Sequence, residues 1–189
     1  MRTFIAITLP QETQAALAAA MKRLAPVAVD TTWCNVRQLH LTLAFLGEIA
    51  PAILPHVSTA LTRVCQSMPT VPCRAYGLGF FGNRRNPKTL WAGIDLSPEL
   101  DALHGALWQE LKRFGFRTDE DRFRPHVTLG RCKERARNQT LTDAMDADTD
   151  IHFGDWLATG ITLYESRLTP KGAHYSPHNT FRLGRKDTP

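Results

Sequence analysis

Apolar residues recur at helical spacing in three stretches of the chain. In QETQAALAAAMKRLA they fall at Leu17, Ala20, Met21 and Leu24, one face of a helix. PAILPHVSTALTRVCQSM reads as a second helix, with Pro51 at its start and Pro69 beyond its end. PELDALHGALWQELKRFG is a third, capped by Ser97-Pro98 and ended at Gly115. Between them lie β-rich runs: RTFIAIT, LHLTLAFLG, VPCRAYGLGFFG, KTLWAGIDL and HVTLGR. The loop GNRRNPK joins two of them, and IHFGDWLATGITLYESRL with HYSPHNTFRLG supplies the last strands. The order is roughly βαβαββ, then αβ(α)βββ. A strand and a helix precede each of two similar strands, which predicts a degenerate internal duplication with its halves facing each other.

Those two strands carry one phrase twice. LHLTLAFLGE and RPHVTLGR each read His, apolar residue, Thr, Leu. His followed two positions later by Thr or Ser is weak as a bare pattern, since His56, His174 and His178 also meet it. Context separates them. His56 lies in a helical pattern, where positions i and i+2 do not share a face. His174 is followed by Pro177, which should interrupt a central strand. His178 has polar Asn179 where the other phrases carry Leu41 and Val127. In a strand, side chains alternate, so His40 and Thr42 share one face and Leu41 and Leu43 the other. The same holds for His126 and Thr128 against Val127 and Leu129. Two such pairs meeting in a cleft would suit in-line attack at phosphorus: one imidazole takes a proton, the other gives one, and the hydroxyls hold phosphate oxygens. The plain alternative is two ordinary strand histidines on polar sheet faces.

Composition sharpens this little. At 189 residues and 43% apolar content, one globular domain or two small lobes with a common core are expected. No run of about 18 apolar residues is present, which disfavours a membrane helix. The start reads as a first strand rather than a signal peptide. Cys34, Cys65, Cys73 and Cys132 form no C-x-x-C pair, which predicts reduced thiols in the cytosol and disfavours zinc. The net charge of +5 is compatible with a polyanionic partner. Its arginines tilt the reading toward phosphate, which the guanidinium fork grips in two places.

With both phrases and their flanks in view, the chain resembles the 2H phosphoesterase superfamily, and within it the bacterial RNA 2′,3′-cyclic phosphodiesterases, also called 2′-5′ RNA ligases. RTFIAITLP, LHLTLAFLGE, LWAGID, FRPHVTLGR and LYESRLTPKGAHYSP carry the likeness over nearly the whole chain. It implies an α+β fold of two pseudo-symmetric lobes, each a small, mainly antiparallel sheet flanked by helices, with a central cleft. Residues 1–184 would form this one domain, with 185–189 a disordered tail. It implies hydrolysis of an RNA terminal 2′,3′-cyclic phosphate to a 2′-phosphomonoester without metal or cofactor, and in some members ATP-independent joining to a 5′-hydroxyl. His40 would be the proton donor and His126 the proton acceptor, with Thr42 and Thr128 on the phosphate. The partner would be cyclic-phosphate RNA, tRNA-derived ends among the candidates, met by a cytoplasmic monomer.

Further residues are less determined. The resemblance puts Phe45 and Arg131, each five residues after its histidine, near the substrate. Strand parity points them the other way, unless Gly130 breaks the alternation with a bulge. A phosphate or ribose contact is favoured for Arg131 and core packing for Phe45, with base stacking its alternative. The loop GNRRNPK sets Arg84, Arg85 and Lys88 among Phe80, Phe81 and Trp91, which suits a single-stranded RNA end or a plain solvated hairpin. Arg124 could edge the cleft, and Tyr164 and Ser166 could line it. The acidic DED run should face solvent, and LTPKG should be a turn. Two other functions stay open: a relative acting on small cyclic nucleotides or ADP-ribose cyclic phosphate, and a non-catalytic RNA- or nucleotide-binding module. Intact motifs count against the second. A metallohydrolase is disfavoured, since no acidic residue stands at ligand spacing from either motif histidine.

Overall fold

The β-rich runs and helical runs form where their patterns place them. The structure, a computed structural model, describes residues 1–118, 122–133, 139–169 and 172–184. Strands and helices follow in the order β1 (Arg2–Thr8), α1 (Gln11–Leu24), β2 (Thr31–Trp33), β3 (His40–Glu48), α2 (Leu54–Ser67), β4 (Val71–Asn83), β5 (Asn86–Ile94), α3 (Pro98–Lys112), β6 (His126–Cys132), α4 (Gln139–Asp146), β7 (His152–Ala158), β8 (Gly160–Thr169) and β9 (Gly172–Arg182). Ser97 caps α3 by accepting a hydrogen bond from the Leu100 amide, which satisfies one of the free N–H groups at a helix start. Pro51 opens a short 3₁₀ turn ahead of α2 rather than α2 itself. The stretch read as the loop GNRRNPK is mostly strand, tightened to a turn between Asn83 and Asn86. β2 is a three-residue strand with too few positions to show a period.

All nine strands form one antiparallel sheet, ordered β7-β4-β5-β6-β3-β1-β8-β9, with β2 paired to β6. The halves therefore do not stack face to face, as expected from the duplication. They join edge to edge, where β3 meets β6 at Leu41 opposite Val127. Outward from that pair, one side runs β3, β1, β8, β9 and the other β6, β5, β4, β7. Each side contains a strand–helix–strand unit, β1-α1-β3 or β5-α3-β6, so the approximate two-fold passes between Leu41 and Val127. β9 is an edge strand that extends on both sides of Pro177, with a one-residue register slip at His178 beside it. A missing N–H is tolerated there, which corrects the central-strand reading of His174.

Helices pack against the sheet and one another: α1 on β7 and α4, α3 on β4 and α2, and α2 also on β9. Leu41, Val127 and Leu129 are fully buried toward this core, joined by Leu17, Leu61 and Leu107. Alternation then leaves the opposite face of β3 and β6 free for polar residues. Residues 185–189 and the DED run, 119–121, lie outside the described residues, as do Pro170 and Lys171 of LTPKG. No helix among the described residues is long and apolar enough to cross a membrane.

Candidate active site

The Leu41–Val127 pairing dictates what stands on the other face. Counting one residue outward in antiparallel register places His40 across from Thr128 and Thr42 across from His126. Four side chains thus form a square, with the histidines on one diagonal and the threonines on the other. The sequence assigned each His–Thr pair to one face, and the sheet brings the two pairs together.

Each histidine is aimed by the same device. Nδ1 of His40 is 2.7 Å from the carbonyl of Gln38, and Nδ1 of His126 is 2.7 Å from that of Arg124. A carbonyl only accepts, so Nδ1 of each ring donates, and Nε2 is left as the working atom. Their surroundings differ. His40 stacks on Phe4 at 4.8 Å and meets the edge of Tyr175 at 5.3 Å, with Tyr164 at 6.2 Å. Burial among these rings lowers its pKa. The Gln38 carbonyl opposes that shift, and the nearby His126 adds to it. His126 meets the edge of Phe81 at 4.9 Å and has Trp91 at 6.5 Å.

Two adjoining cavities, of about 380 and 200 Å³, share Thr42 and Phe45. His40, Thr128 and Arg131 line the larger, with Arg2 and Tyr175. His126 lines the smaller, with Trp108, Arg117, Phe123 and Arg124. Arg2, Arg117, Arg124 and Arg131 have no carboxylate within ion-pair distance among the described residues. Among the described residues, no Asp or Glu lines either cavity. Four guanidinium groups gathered around the cleft, Arg2, Arg117, Arg124 and Arg131, make it a place for an anion. Among the described residues, no three His, Cys, Asp or Glu side chains gather as a metal site.

Strand parity is broken on both strands at the same place. Opposite β1, the register of β3 slips so that Ile5 faces Ala44 and Ala6 faces Thr42. Opposite β5, that of β6 slips so that Leu90 faces Gly130 and Trp91 faces Thr128. Leu43 and Leu129, each three residues past its histidine, are the extra residues. Two consecutive residues then point inward, Leu43 with Ala44 and Leu129 with Gly130, and the next returns to the cleft face. That places Arg131 in the cleft. Phe45, 58% exposed, lies at the rim between the cavities rather than in the core.

Arg84 is held elsewhere. Its guanidinium spans Asp143, at 2.8 Å, and Asp146 of α4, and neither it nor Arg85 lines the cavities. Tyr164 shares a hydrogen bond with Thr8 and stacks on Phe4 behind His40, whereas Ser166 and Arg124 do line the cleft. Arg2, Cys34, Gln38 and Tyr175 escaped the sequence reading. They come from β1, the end of β2, a 3₁₀ turn and β9, and no motif ties them together. Burial raises the Cys34 thiol, with Arg131 opposing, and raises the Tyr175 phenol.

Two His-x-Thr strands side by side in one sheet, over an arginine-rimmed cleft, define a phosphoesterase of the two-histidine kind. A sequence profile of the 2′-5′ RNA ligase superfamily matches residues 9–170, and the chain belongs to that family. It is 30% identical over 175 residues to the RNA 2′,3′-cyclic phosphodiesterase of Thermotoga maritima, covering 93% of this chain and 91% of that one. It is also 30% identical to the protein of that name from Archaeoglobus fulgidus, covering 96% and 99%. The fold matches the crystal structure of TT0787 of Thermus thermophilus at TM-score 0.85 and 28% identity, covering 98% of this chain and all of that one. Escherichia coli LigT bound to 3′-AMP matches at 0.76 and 26%, covering 97% and 98%.

Proposed function

We propose that the chain hydrolyses the 2′,3′-cyclic phosphate at the end of an RNA to a 2′-phosphomonoester, with His40 as acid and His126 as base. The observation that carries this reading is the square of His40, Thr42, His126 and Thr128, with both Nδ1 atoms tied to carbonyls. The phosphate lies over the Leu41–Val127 pair, its non-bridging oxygens toward Thr42, Thr128 and Arg131. Water attacks phosphorus from the His126 side, and Nε2 of His126 takes its proton. The P–O3′ bond breaks in line, and Nε2 of His40 gives its proton to O3′. The P–O2′ bond stays. The cycle leaves His126 protonated and His40 neutral, and exchange with solvent resets both.

Each proton transfer contributes roughly 10²–10⁴-fold. Donors aimed at the developing phosphoryl charge add to this. The lowered pKa of His40 suits an acid, since such a donor releases its proton readily. The anionic phosphate supplies the charge that keeps the ring protonated in the complex. A 5′-hydroxyl in place of water would give a 2′-5′ linkage without ATP by the same two transfers.

RNA is favoured over a small cyclic nucleotide by the names of the relatives and by the four arginines that line the cleft. The test is incubation of the protein, with EDTA present, with a short RNA ending in 2′,3′-cyclic phosphate. Conversion to the 2′-phosphate supports reaction, regiochemistry and metal independence together. A 3′-phosphate product, or no conversion by folded protein, would contradict the reading.

A further inference from the structure

His104 stands on α3, outside the two motifs, yet it touches the segment that aims His126. Its ring lies 3.8 Å from that of Phe123 with 5° between their planes, and its Nε2 accepts the indole N–H of Trp108 at 3.0 Å. An indole N–H only donates, so His104 is neutral with its proton on Nδ1. Burial lowers its pKa, with Asp101 one turn away opposing. Phe123 is followed at once by Arg124, whose carbonyl holds Nδ1 of His126.

Among the described residues, the backbone anchor of 122–125 is the Ile94 amide on the Pro125 carbonyl at 3.1 Å. The counterpart in the other half is better tied. Gln38 ends a 3₁₀ turn in which its own amide bonds the Asn35 carbonyl at 2.9 Å, and Asn35 Oδ1 accepts from the Arg37 amide at 3.0 Å. In one half the aiming carbonyl ends a 3₁₀ turn held by backbone hydrogen bonds; in the other it follows a ring stacked on a helix side chain.

We propose that His104 is a positioning residue for His126: clamped by Trp108, its ring anchors Phe123 and thereby the Arg124 carbonyl that orients the imidazole. Trp108 and Phe123 also line the cavity beside His126, so one clamp fixes both the ring and its wall. The kinetic consequence rests on the proposed role of His126; the positional one does not.

The test reads both, in protein labelled with ¹⁵N-histidine. In His104→Ala, the Nδ1–H signal of His126 should broaden through faster solvent exchange, while that of His40 stays as in the parent protein. The kcat on cyclic-phosphate RNA should fall about ten-fold, with KM within about two-fold, as expected for a misplaced catalytic group. His104→Phe keeps the stack and should restore most of both. His104→Gln keeps an acceptor for Trp108 without the ring and should resemble His104→Ala, so this pair decides the matter even if the alanine variant folds poorly. An unchanged His126 signal, or equal changes at His40 and His126, would overturn the proposal. The signals are read without substrate, so they report on positioning even if the proposed reaction fails.

Discussion

The two halves of the cleft are built on one plan and furnished differently. Each sets a histidine and a threonine on one strand face, ties Nδ1 to a carbonyl two residues back, and inserts one extra residue at the third position beyond. Around His40 the plan is closed, by Phe4, Tyr164 and Tyr175. Around His126 it opens on Arg117, Arg124 and the smaller cavity. The local device orients an imidazole, and the packing around it sets how readily that imidazole holds a proton. A motif written twice thus provides two aimed rings, and different surroundings can give them opposite tasks.

The comparison breaks hardest when either ring is removed. His40→Ala and His126→Ala should each lower single-turnover hydrolysis by roughly 10²–10⁴-fold with folding retained. The double variant should be little worse than either, because the pair acts as a unit. Near-parental rates in one single variant would show that the halves are not partners. Next comes the residue that differs at the equivalent position, Phe45 in one half and Arg131 in the other. Arg131→Ala should lower kcat/KM by roughly 10²-fold, the scale of one lost donor to a developing oxyanion. Arg131→Lys should recover only part, since a point charge lacks the guanidinium fork.

Gly130→Ala probes the register slip itself. A Cβ there would stand 2.7 Å from Thr31 Cγ2 and 3.0 Å from the Trp33 ring. Overpacking of this kind should cost about 1–3 kcal/mol in urea unfolding. Activity should fall further than stability explains, because Arg131 follows directly.

The smallest expected effect is in pH dependence. The pKa of His40 is lowered in the folded state, so the unfolded chain binds that proton first as pH falls through the ordinary imidazole value of about 6.5. Stability should therefore drop on acidification through that value. His40→Gln should lose less stability over the same interval, measured as urea midpoints, and an identical loss would show that His40 contributes none of it.

Much of this was legible in the sequence because it is periodic. Alternation placed Leu41 and Val127 inward and the His–Thr pairs outward, and apolar spacing located the three longer helices. The edge-to-edge junction was not legible, since nothing in either phrase says whether its strand stacks on the other or pairs with it. Phe45 was misplaced because parity holds only until a bulge, and nothing in LTLAFLG marks Leu43 as extra. Arg84 looked available because its partners Asp143 and Asp146 lie about 60 residues away on α4, so pairing by tertiary structure was invisible. Tyr175 reaches the cleft from β9, which stands two strands beyond β3's neighbour β1, and only the tertiary fold brings its ring near His40.

The central claim is that two similarly aimed histidines carry out opposite proton transfers. It is tested most directly with an RNA whose 2′,3′-cyclic phosphate has sulfur in place of the bridging O3′. A thiolate leaves without protonation, so the substrate no longer needs the acid. Sulfur should restore His40→Ala to near the parental rate on that substrate and leave His126→Ala as slow as before. Rescue of His126→Ala instead, or equal rescue of both, would contradict the account.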